Sequence, residues 1–502
     1  MSTTQITESP RTLAREAAAR DVAEEAAAAT ALREAAAAGA FGTGTTRSAD
    51  DAAHAPSAAN GPGSVFPAGS AGSVPGGSAN SARATGFPPA GEIPTEELLR
   101  VFRPVFARIA ERAVAREQDH ELPFECFGWL NALRFGALTL PVARGGYGAT
   151  LAQTVELLVE LAAADSSVAH VYRSHLGFLA SLGAEEADVW FPRVAAGETV
   201  GNAATERSGA ALGTAATSLV RSEPDGAVQN GTAPDSAWEL NGTKYYSTGS
   251  IFSDWIQVTA QIPRQEARSH ALVGSDWDGV EMVDDWDGFG QQLTGTGTTH
   301  FRGVRVPAEN VRNRDGRSTQ ETAVFQLVLL SVEAGIAVAA ATAAADQVRA
   351  RTRGFNTGNG AVTREDPQVL QRVGELSAQA AAARAIVLQA ARDVDAAVGV
   401  LGQDPRITDP EELTNACELA VAQAHVVVPG LVKDVTDGIF DVLGASAVSR
   451  SKALDRFWRN ARTIATHNPV IYKARIVGDH RVNGTPMFGL NAIGEVSRSA
   501  TS

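Results

Sequence analysis

The sequence predicts an α+β chain in which an N-terminal helical domain, a middle β domain and a C-terminal helical bundle follow one another. Three changes of texture carry that expectation. After residue 90, Leu98, Leu99, Phe102, Val105, Phe106 and Ile109 recur at helical spacing. Near residue 201 the pattern switches to short alternating runs with turn residues, and Asn241-Gly242 reads as a hairpin turn between two strands. From Thr319 the helical pattern returns, with Ala-rich stretches at Val332 to Ala350 and Val373 to Val400 whose small residues let helices pack closely.

Taken in order, residues 1–90 are expected to form a disordered extension. Leu13 to Gly39 is rich in Ala, Glu and Arg, a composition able to form a helix but short of large apolar residues to bury one. Gly42 to Pro89 is Gly-, Ser-, Ala- and Pro-rich and cannot offset the entropy of ordering. Residues 91–200 are assigned to the helical domain, 201–312 to the β domain, 313–488 to the bundle and 489–502 to a tail. Met1 to Pro10 is polar, unlike a secretory signal, and no apolar run reaches the roughly 18 residues of a membrane span.

At 502 residues the chain can enclose a large cofactor, and its net charge of −14 excludes a basic footprint for nucleic acid or an anionic membrane. A small-molecule partner is expected. Cys126 and Cys417 stand alone, without a C-x-x-C pair, so a reducing cytoplasm is expected, with no disulfide framework and no zinc site. The Gly288 to Gly297 stretch leads into an alternating strand rather than a helix, so it is not a dinucleotide fingerprint. Neither a P-loop, a nucleophile elbow nor H-E-x-x-H is present.

The run Ala461 to Pro469 carries the most chemistry. Abstraction of a proton beside a carbonyl requires a carboxylate base, yet no Asp or Glu occurs between Arg456 and Lys473. His467 stands there instead. An oxygenase needs hydrogen-bond donors around an activated oxygen and a water-poor pocket, and a histidine suits that role. The competing reading is a histidine satisfying helix-end carbonyls ahead of Asn468-Pro469. On the expected strand after Asn241-Gly242, Tyr245 and Ser247 would share one face, Tyr246 and Thr248 the other. Asn202 offers an amide that both donates and accepts, or a loop residue stabilising its own turn. His170 and His175 lie five residues apart on one expected helix, about 140° apart, and cannot share a metal in the usual helical manner. Arg349, Arg351 and Arg353 form a basic cluster suited to a phosphate or to a solvated face, and Trp255 either walls a bound ligand or fills the sheet core.

The domain order resembles the acyl-CoA dehydrogenase superfamily over residues 95 to 488. The local matches are Leu240-Asn-Gly-Thr-Lys-Tyr-Tyr-Ser-Thr-Gly-Ser, Gly295-Thr-Gly-Thr-Thr-His-Phe-Arg-Gly-Val-Arg-Val-Pro and Arg349-Ala-Arg-Thr-Arg-Gly-Phe. Phe457-Trp-Arg-Asn-Ala-Arg-Thr-Ile-Ala-Thr-His-Asn-Pro, with Val482-Asn-Gly-Thr-Pro, is similar to the FMN-dependent monooxygenases of dibenzothiophene and sulfone desulfurisation. Dehydrogenases of the superfamily carry a carboxylate base in this kind of segment. The resemblance implies a cytoplasmic homotetramer that takes reduced FMN, rather than FAD, from a separate NAD(P)H:flavin reductase. With O₂ it would form a C4a-hydroperoxyflavin and oxygenate a small, largely apolar organosulfur substrate.

In that frame His467, Asn202 and Ser247 are the catalytic candidates. Tyr245, Ser247, Thr248, Asn202 and Arg353 are the cofactor contacts, with Arg353 on the flavin phosphate across a subunit boundary. His175 and Trp255 would line the substrate pocket, while His170 is read as structural. Two other functions stay open: an FAD-dependent acyl-CoA dehydrogenase whose base is Glu333 or Asp441, and a noncatalytic scaffold of the same fold.

Overall fold

The computed structural model describes residues 10–41, 93–207, 215–222, 237–265, 268–313, 320–399, 407 and 409–487. The Gly/Ser-rich part of the N-terminal extension and the tail lie outside the described residues. The first part of the extension is folded, against expectation: helices α1 (Pro10–Asp21) and α2 (Ala23–Ala37) dock on the helical domain. Ala18, Val22, Ala29, Leu32 and Ala36 are buried there. Alanine faces make this possible because they let backbones come close, so burial is achieved without large side chains. Arg15 Nη2 lies 2.6 Å from Asp254 Oδ2, Arg33 Nη1 donates to the Tyr147 hydroxyl at 2.7 Å, and Arg11 donates to the Ser253 carbonyl and the Ser275 hydroxyl.

The helical domain comprises α3 (Thr95–Asp119), α4 (Phe124–Ala132), α5 (Leu151–Ala164), α6 (Ser166–Ala180) and α7 (Ala184–Ala195). A capping box of Thr150 and Gln153 starts α5. Asp165 then caps α6, accepting from Ser167 N at 3.0 Å, while its other oxygen takes the fully buried Arg116 at 2.9 Å. Those two contacts fix the start of α6, a helix buried on nearly every side.

The β domain holds β1 (Val200–Ala203), β2 (Ser218–Arg221), β3 (Ala237–Lys244), β4 (Trp255–Gln261), β5 (Arg268–Gly274), β6 (Val280–Val283), β7 (Thr298–Pro307) and β8 (Val311–Asn313). The sheet order is β6-β7-β3-β2-β4-β5-β8, with β1 parallel to β4. Leu240, Ile256, Val258, Phe301 and Val304 fill its apolar face. Asn241-Gly242 does not turn a hairpin. It forms a bulge inside a continuous β3, where the register against β7 shifts between Leu240 and Gly242. Gly242 has φ 153°, and a Cβ there would lie 2.5 Å from Thr217 Oγ1, so the glycine serves close strand approach.

In the bundle, α8 (Glu321–Ala350), α9 (Pro367–Val398) and α10 (Pro410–Leu443) pack through buried alanines including Ala340, Ala344, Ala383 and Ala391. Asp366 and Asp409 cap α9 and α10, each followed by a proline in the first turn. Two shorter helices follow, α11 (Asp455–Ala465) and α12 (Val470–Asn483). Averaged over a window rather than read as unbroken runs, two helical segments, Glu321–Ala350 and Pro410–Val448, are long and apolar enough to cross a bilayer. For α8, 83% of that window is buried inside the protein, as a core helix requires.

Candidate functional site

His467 occupies the four-residue turn between α11 and α12, which Asn468-Pro469 closes, as the sequence predicts. Its backbone N–H donates to Ile464 O at 3.0 Å. The side chain is open to solvent-sized space, yet the protein around it is dense enough to hold the imidazole well below its ordinary pKa. Burial is the main cause, followed by the positive charge of Arg173 and by repulsion from His170 and His425 when they are protonated. No carboxylate is among the groups acting on it.

One residue ties this turn to the other two domains. Gln291 N donates to Asn460 Oδ1 of α11 at 2.6 Å, and Gln291 Nε2 donates to Ser166 Oγ of α6 at 3.0 Å. Gln291 Oε1 is thereby the acceptor for His170 Nδ1 at 3.1 Å, which leaves His170 Nε2 as a lone-pair nitrogen. Burial first, then the charge of Arg173, lowers His170 to about 4, so it is neutral near pH 7. From the Gln291 carbonyl a hydroxyl ladder runs through Thr294 Oγ1 (2.8 Å), Thr296 Oγ1 (2.7 Å) and Thr248 Oγ1 (2.7 Å). Gln291, at φ 54°, is held in a left-handed backbone conformation that non-glycine residues rarely adopt, and so is Tyr246, at φ 63°.

That kink at Tyr246 overturns the expected strand alternation. β3 ends at Lys244, so Ser247 and Thr248 lie on a loop leading into a 3₁₀ turn at Ser250–Phe252. Ser247 Oγ is buried with no partner among the described residues, and the Asn202 side chain makes no hydrogen bond among them. Ser250 links the two segments, its N–H donating to Ser247 O at 3.1 Å and its hydroxyl to Asn202 O at 3.2 Å. Tyr245 is not free for a cofactor. Its ring lies 3.6 Å beneath the Arg207 guanidinium and its hydroxyl donates to Asp287 Oδ1 at 3.3 Å, while the neighbouring Tyr246 is the half-exposed one.

Two pocket assignments are also corrected. His175 is a structural stitch: Val200 N–H donates to its Nδ1 at 3.1 Å, so Nε2 carries the proton and donates to Gly136 O at 2.9 Å. Both nitrogens are used. Trp255 packs with Trp190 and Trp277, under Arg193, and donates to Glu198 Oε2 at 2.7 Å, so it belongs to the core. Arg353 is exposed just past α8, and its side chain makes no contact among the described residues. His425 acts electrostatically on His467, and so do His170, read from sequence as structural, and Arg173. The three-residue spacing of His170 and Arg173 on one helix face was the available signal. The sequence reading also missed Gln291 and His425. A separate cavity of about 670 Å³ opens further along α6, at Leu176, Leu179 and Ala180, and none of His467, Asn202 or Ser247 lines it.

The unpartnered Ser247 hydroxyl, the free Asn202 amide and the hydroxyl ladder supply donors and acceptors that fit the edge of a flavin ring. Residues 96–198 match the family model described as acyl-CoA dehydrogenase, N-terminal domain, and residues 327–471 match acyl-CoA dehydrogenase, C-terminal domain. A dibenzothiophene monooxygenase of Mycolicibacterium goodii is 30% identical over 366 residues, which is 69% of this chain and 84% of that protein. A probable FMNH₂-dependent monooxygenase of Pseudomonas putida is 27% identical over 401 residues, covering 78% and 96% of the two chains. The FMN-bound crystal structure of a dibenzothiophene monooxygenase from Paenibacillus sp. A11-2 superposes with a TM-score of 0.69 at 28% identity, covering 77% of this chain and 98% of its own.

Proposed function

The chain belongs to the acyl-CoA dehydrogenase superfamily, in the branch of the FMN-dependent dibenzothiophene monooxygenases, and from that premise we propose that it transfers one atom of O₂ to a small organosulfur substrate. The observation that carries the reading is the set of groups acting on His467, which are Arg173, His170 and His425 with no carboxylate among them. Bound reduced FMN supplies the two electrons that activate oxygen, and a separate flavin reductase supplies the reduced flavin.

The protein's own residues then have defined tasks. Ser247 and Asn202 would hold the flavin edge, and Thr248, locked to Thr296, fixes the loop that carries Ser247. His467, kept neutral by burial, donates a hydrogen bond to the oxygen being transferred and holds its proton. His170, its Nδ1 held by Gln291, keeps Nε2 as its lone-pair nitrogen. Neither alternative base is placed to act there. Asp441 is exposed and pairs with Arg372 at 3.2 Å, while Glu333 is buried within α8 and is influenced by Arg462 rather than by His467.

We further place the enzyme in the cytoplasm as a homotetramer in which Arg353 reaches the flavin phosphate of a neighbouring subunit. Exposed Phe355, Ile471, Tyr472 and Val482 leave apolar surface on the bundle for such an assembly. The decisive variant for the chemistry is His467→Ala. It is expected to bind FMNH₂ and consume O₂, but to release hydrogen peroxide with product yield down about 10²- to 10³-fold, the usual loss for one donor to a developing charge. Full product yield would return His467 to a helix-capping role.

A further inference from the structure

Helices α1 and α2 precede the matched fold, which begins at residue 96, yet α1 makes contact with the segment that follows Ser247. Its seat is α4. Gly128 leaves room there for Ala14 and Ala18, since a Cβ at residue 128 would lie 2.7 Å from the Ala14 carbonyl oxygen. From that seat Arg11 and Arg15, one turn apart on a single face of α1, extend to the β domain. Arg11 donates to the Ser253 carbonyl and to the Ser275 hydroxyl, and Arg15 Nη2 donates to Asp254 Oδ2 at 2.6 Å and to the Gly197 carbonyl at 3.3 Å. An arginine in a first helical turn opposes the helix dipole, and α1 has no acidic residue there to offset it. Arg11 is therefore placed for what it grips rather than for helix stability.

What it grips is one end of a short, closed element. Ser253 N–H donates to the Ser250 carbonyl at 3.1 Å and Ser253 Oγ to the Gly249 carbonyl at 2.9 Å, closing the 3₁₀ turn at Ser250–Phe252. The other end carries Ser247, whose carbonyl accepts from Ser250 N, while the Ser250 hydroxyl reaches the Asn202 carbonyl. β1 runs so close that a Cβ on Gly201 would sit 2.6 Å from Ser250 Cα. Asp254 Oδ2 also accepts from Thr199 N at 2.8 Å, so Arg15 holds the entry to β1, the strand of Asn202, as well. Phe252 seats the turn on α4, its ring 4.4 Å from that of Phe127 and 4.9 Å from that of Phe124. One helix, α4, thus carries both the turn and the helix that grips it.

Resting on the oxygenase reading above, we infer that α1 is a strap that sets the flavin-edge loop, with Arg11 and Arg15 as positioning residues for Ser247 and Asn202. Neither arginine touches the reacting atoms. Ser247 Oγ is buried with no partner among the described residues, so the backbone beneath it must aim it. Functional donors have to be held within about 0.5 Å of their working geometry, and the strap supplies that support from outside the matched fold. Loosening it leaves the fold intact, weakens FMN binding and lets reduced oxygen escape as hydrogen peroxide.

The test compares the full-length wild type with Arg11→Ala/Arg15→Ala, Arg11→Lys/Arg15→Lys and Arg33→Ala, each checked for folding by circular dichroism. Arg33 bonds the Tyr147 hydroxyl from α2 at 2.7 Å and makes no hydrogen bond to the turn, so its loss weakens the strap elsewhere. FMN affinity is read by quenching of flavin fluorescence, and coupling by the hydrogen peroxide released per O₂ consumed with a flavin reductase and dibenzothiophene. The double alanine variant should bind FMN about 5- to 50-fold more weakly, as when one or two side chains must be ordered on binding, with a raised peroxide fraction. The double lysine variant, which keeps both charges, should recover most of each loss. Arg33→Ala should lower the melting temperature and move neither flavin readout. A double alanine variant that loses only melting temperature would overturn the inference, and so would Arg33→Ala shifting both flavin readouts equally. Wild type that binds no FMN would instead sink the parent reading, and the inference with it.

Discussion

Substituting Gly128 with alanine sets two effects of opposite sign against each other. Gly128 lies in the middle of α4, where helix propensity alone would make Gly→Ala stabilising by about 1 kcal/mol. With α1 docked, the added Cβ would sit 2.7 Å from the Ala14 carbonyl oxygen and 2.8 Å from Ala18 Cβ. A backbone carbonyl cannot swing aside, so α1 must retreat by roughly half an ångström or more, and overpacking of that kind costs about 1–3 kcal/mol. The propensity gain belongs to α4 and the penalty to the docking of α1. The opening equilibrium of α1 should therefore shift by about 5- to 150-fold. Hydrogen-exchange mass spectrometry on peptides spanning residues 10–41 reads this directly. Wild-type α1 should be protected, and Gly128→Ala should lose protection there and around Arg15 and Asp254. A variant with raised melting temperature and unchanged exchange would show that α1 is not packed on α4.

Replacing His175 with leucine would orphan both Val200 N–H and Gly136 C=O. Denaturant titration should show a loss of about 2–5 kcal/mol with no change in substrate preference, whereas altered preference without lost stability would restore His175 to the pocket. Stability should also depend on pH from both sides. Burial raises Glu333 from 4.5 to about 8, so the native state keeps a proton that the unfolded chain releases, and stability falls as pH rises from about 4.5 to 8. Glu333→Gln should recover on the order of 4 kcal/mol at pH 8 and little at pH 5, and equal effects at both would refute this. Burial lowers His170, His175 and His425 from 6.5 to about 4, so the unfolded chain takes up protons first and stability falls as pH drops from about 6.5 toward 4. Arg353→Ala should weaken FMN binding about 10- to 100-fold in equilibrium dialysis with no change in melting temperature, and unchanged affinity would remove Arg353 from the phosphate site.

What the sequence made legible was what periodicity and local chemistry determine. The order of helical domain, sheet and bundle follows from apolar spacing, and the His467 turn follows from Asn468-Pro469. The strand expected to carry Ser247 is a loop, because the chain passes through a left-handed conformation at Tyr246 that residue type does not announce. The docked α1–α2 segment was missed because much of its buried surface is alanine, which composition reads as too weakly apolar to bury. Asn241-Gly242 has the residues of a tight turn, but pairing with β7 on one side and β2 on the other keeps β3 continuous and turns the pair into a bulge. His175 was misplaced for a similar reason: only the fold decides which of two buried histidines meets backbone groups on both nitrogens and which meets a side chain such as Gln291.

The central claim is tested most directly by isotope transfer. The purified chain would be supplied with FMNH₂ by a flavin reductase under ¹⁸O₂, with benzenesulfinate and dibenzothiophene offered separately. One labelled oxygen in the oxidised sulfur product at each turnover is the predicted result. Absence of label from both products, together with tightly bound FAD that bleaches on addition of an acyl-CoA, would contradict the oxygenase account and establish a dehydrogenase.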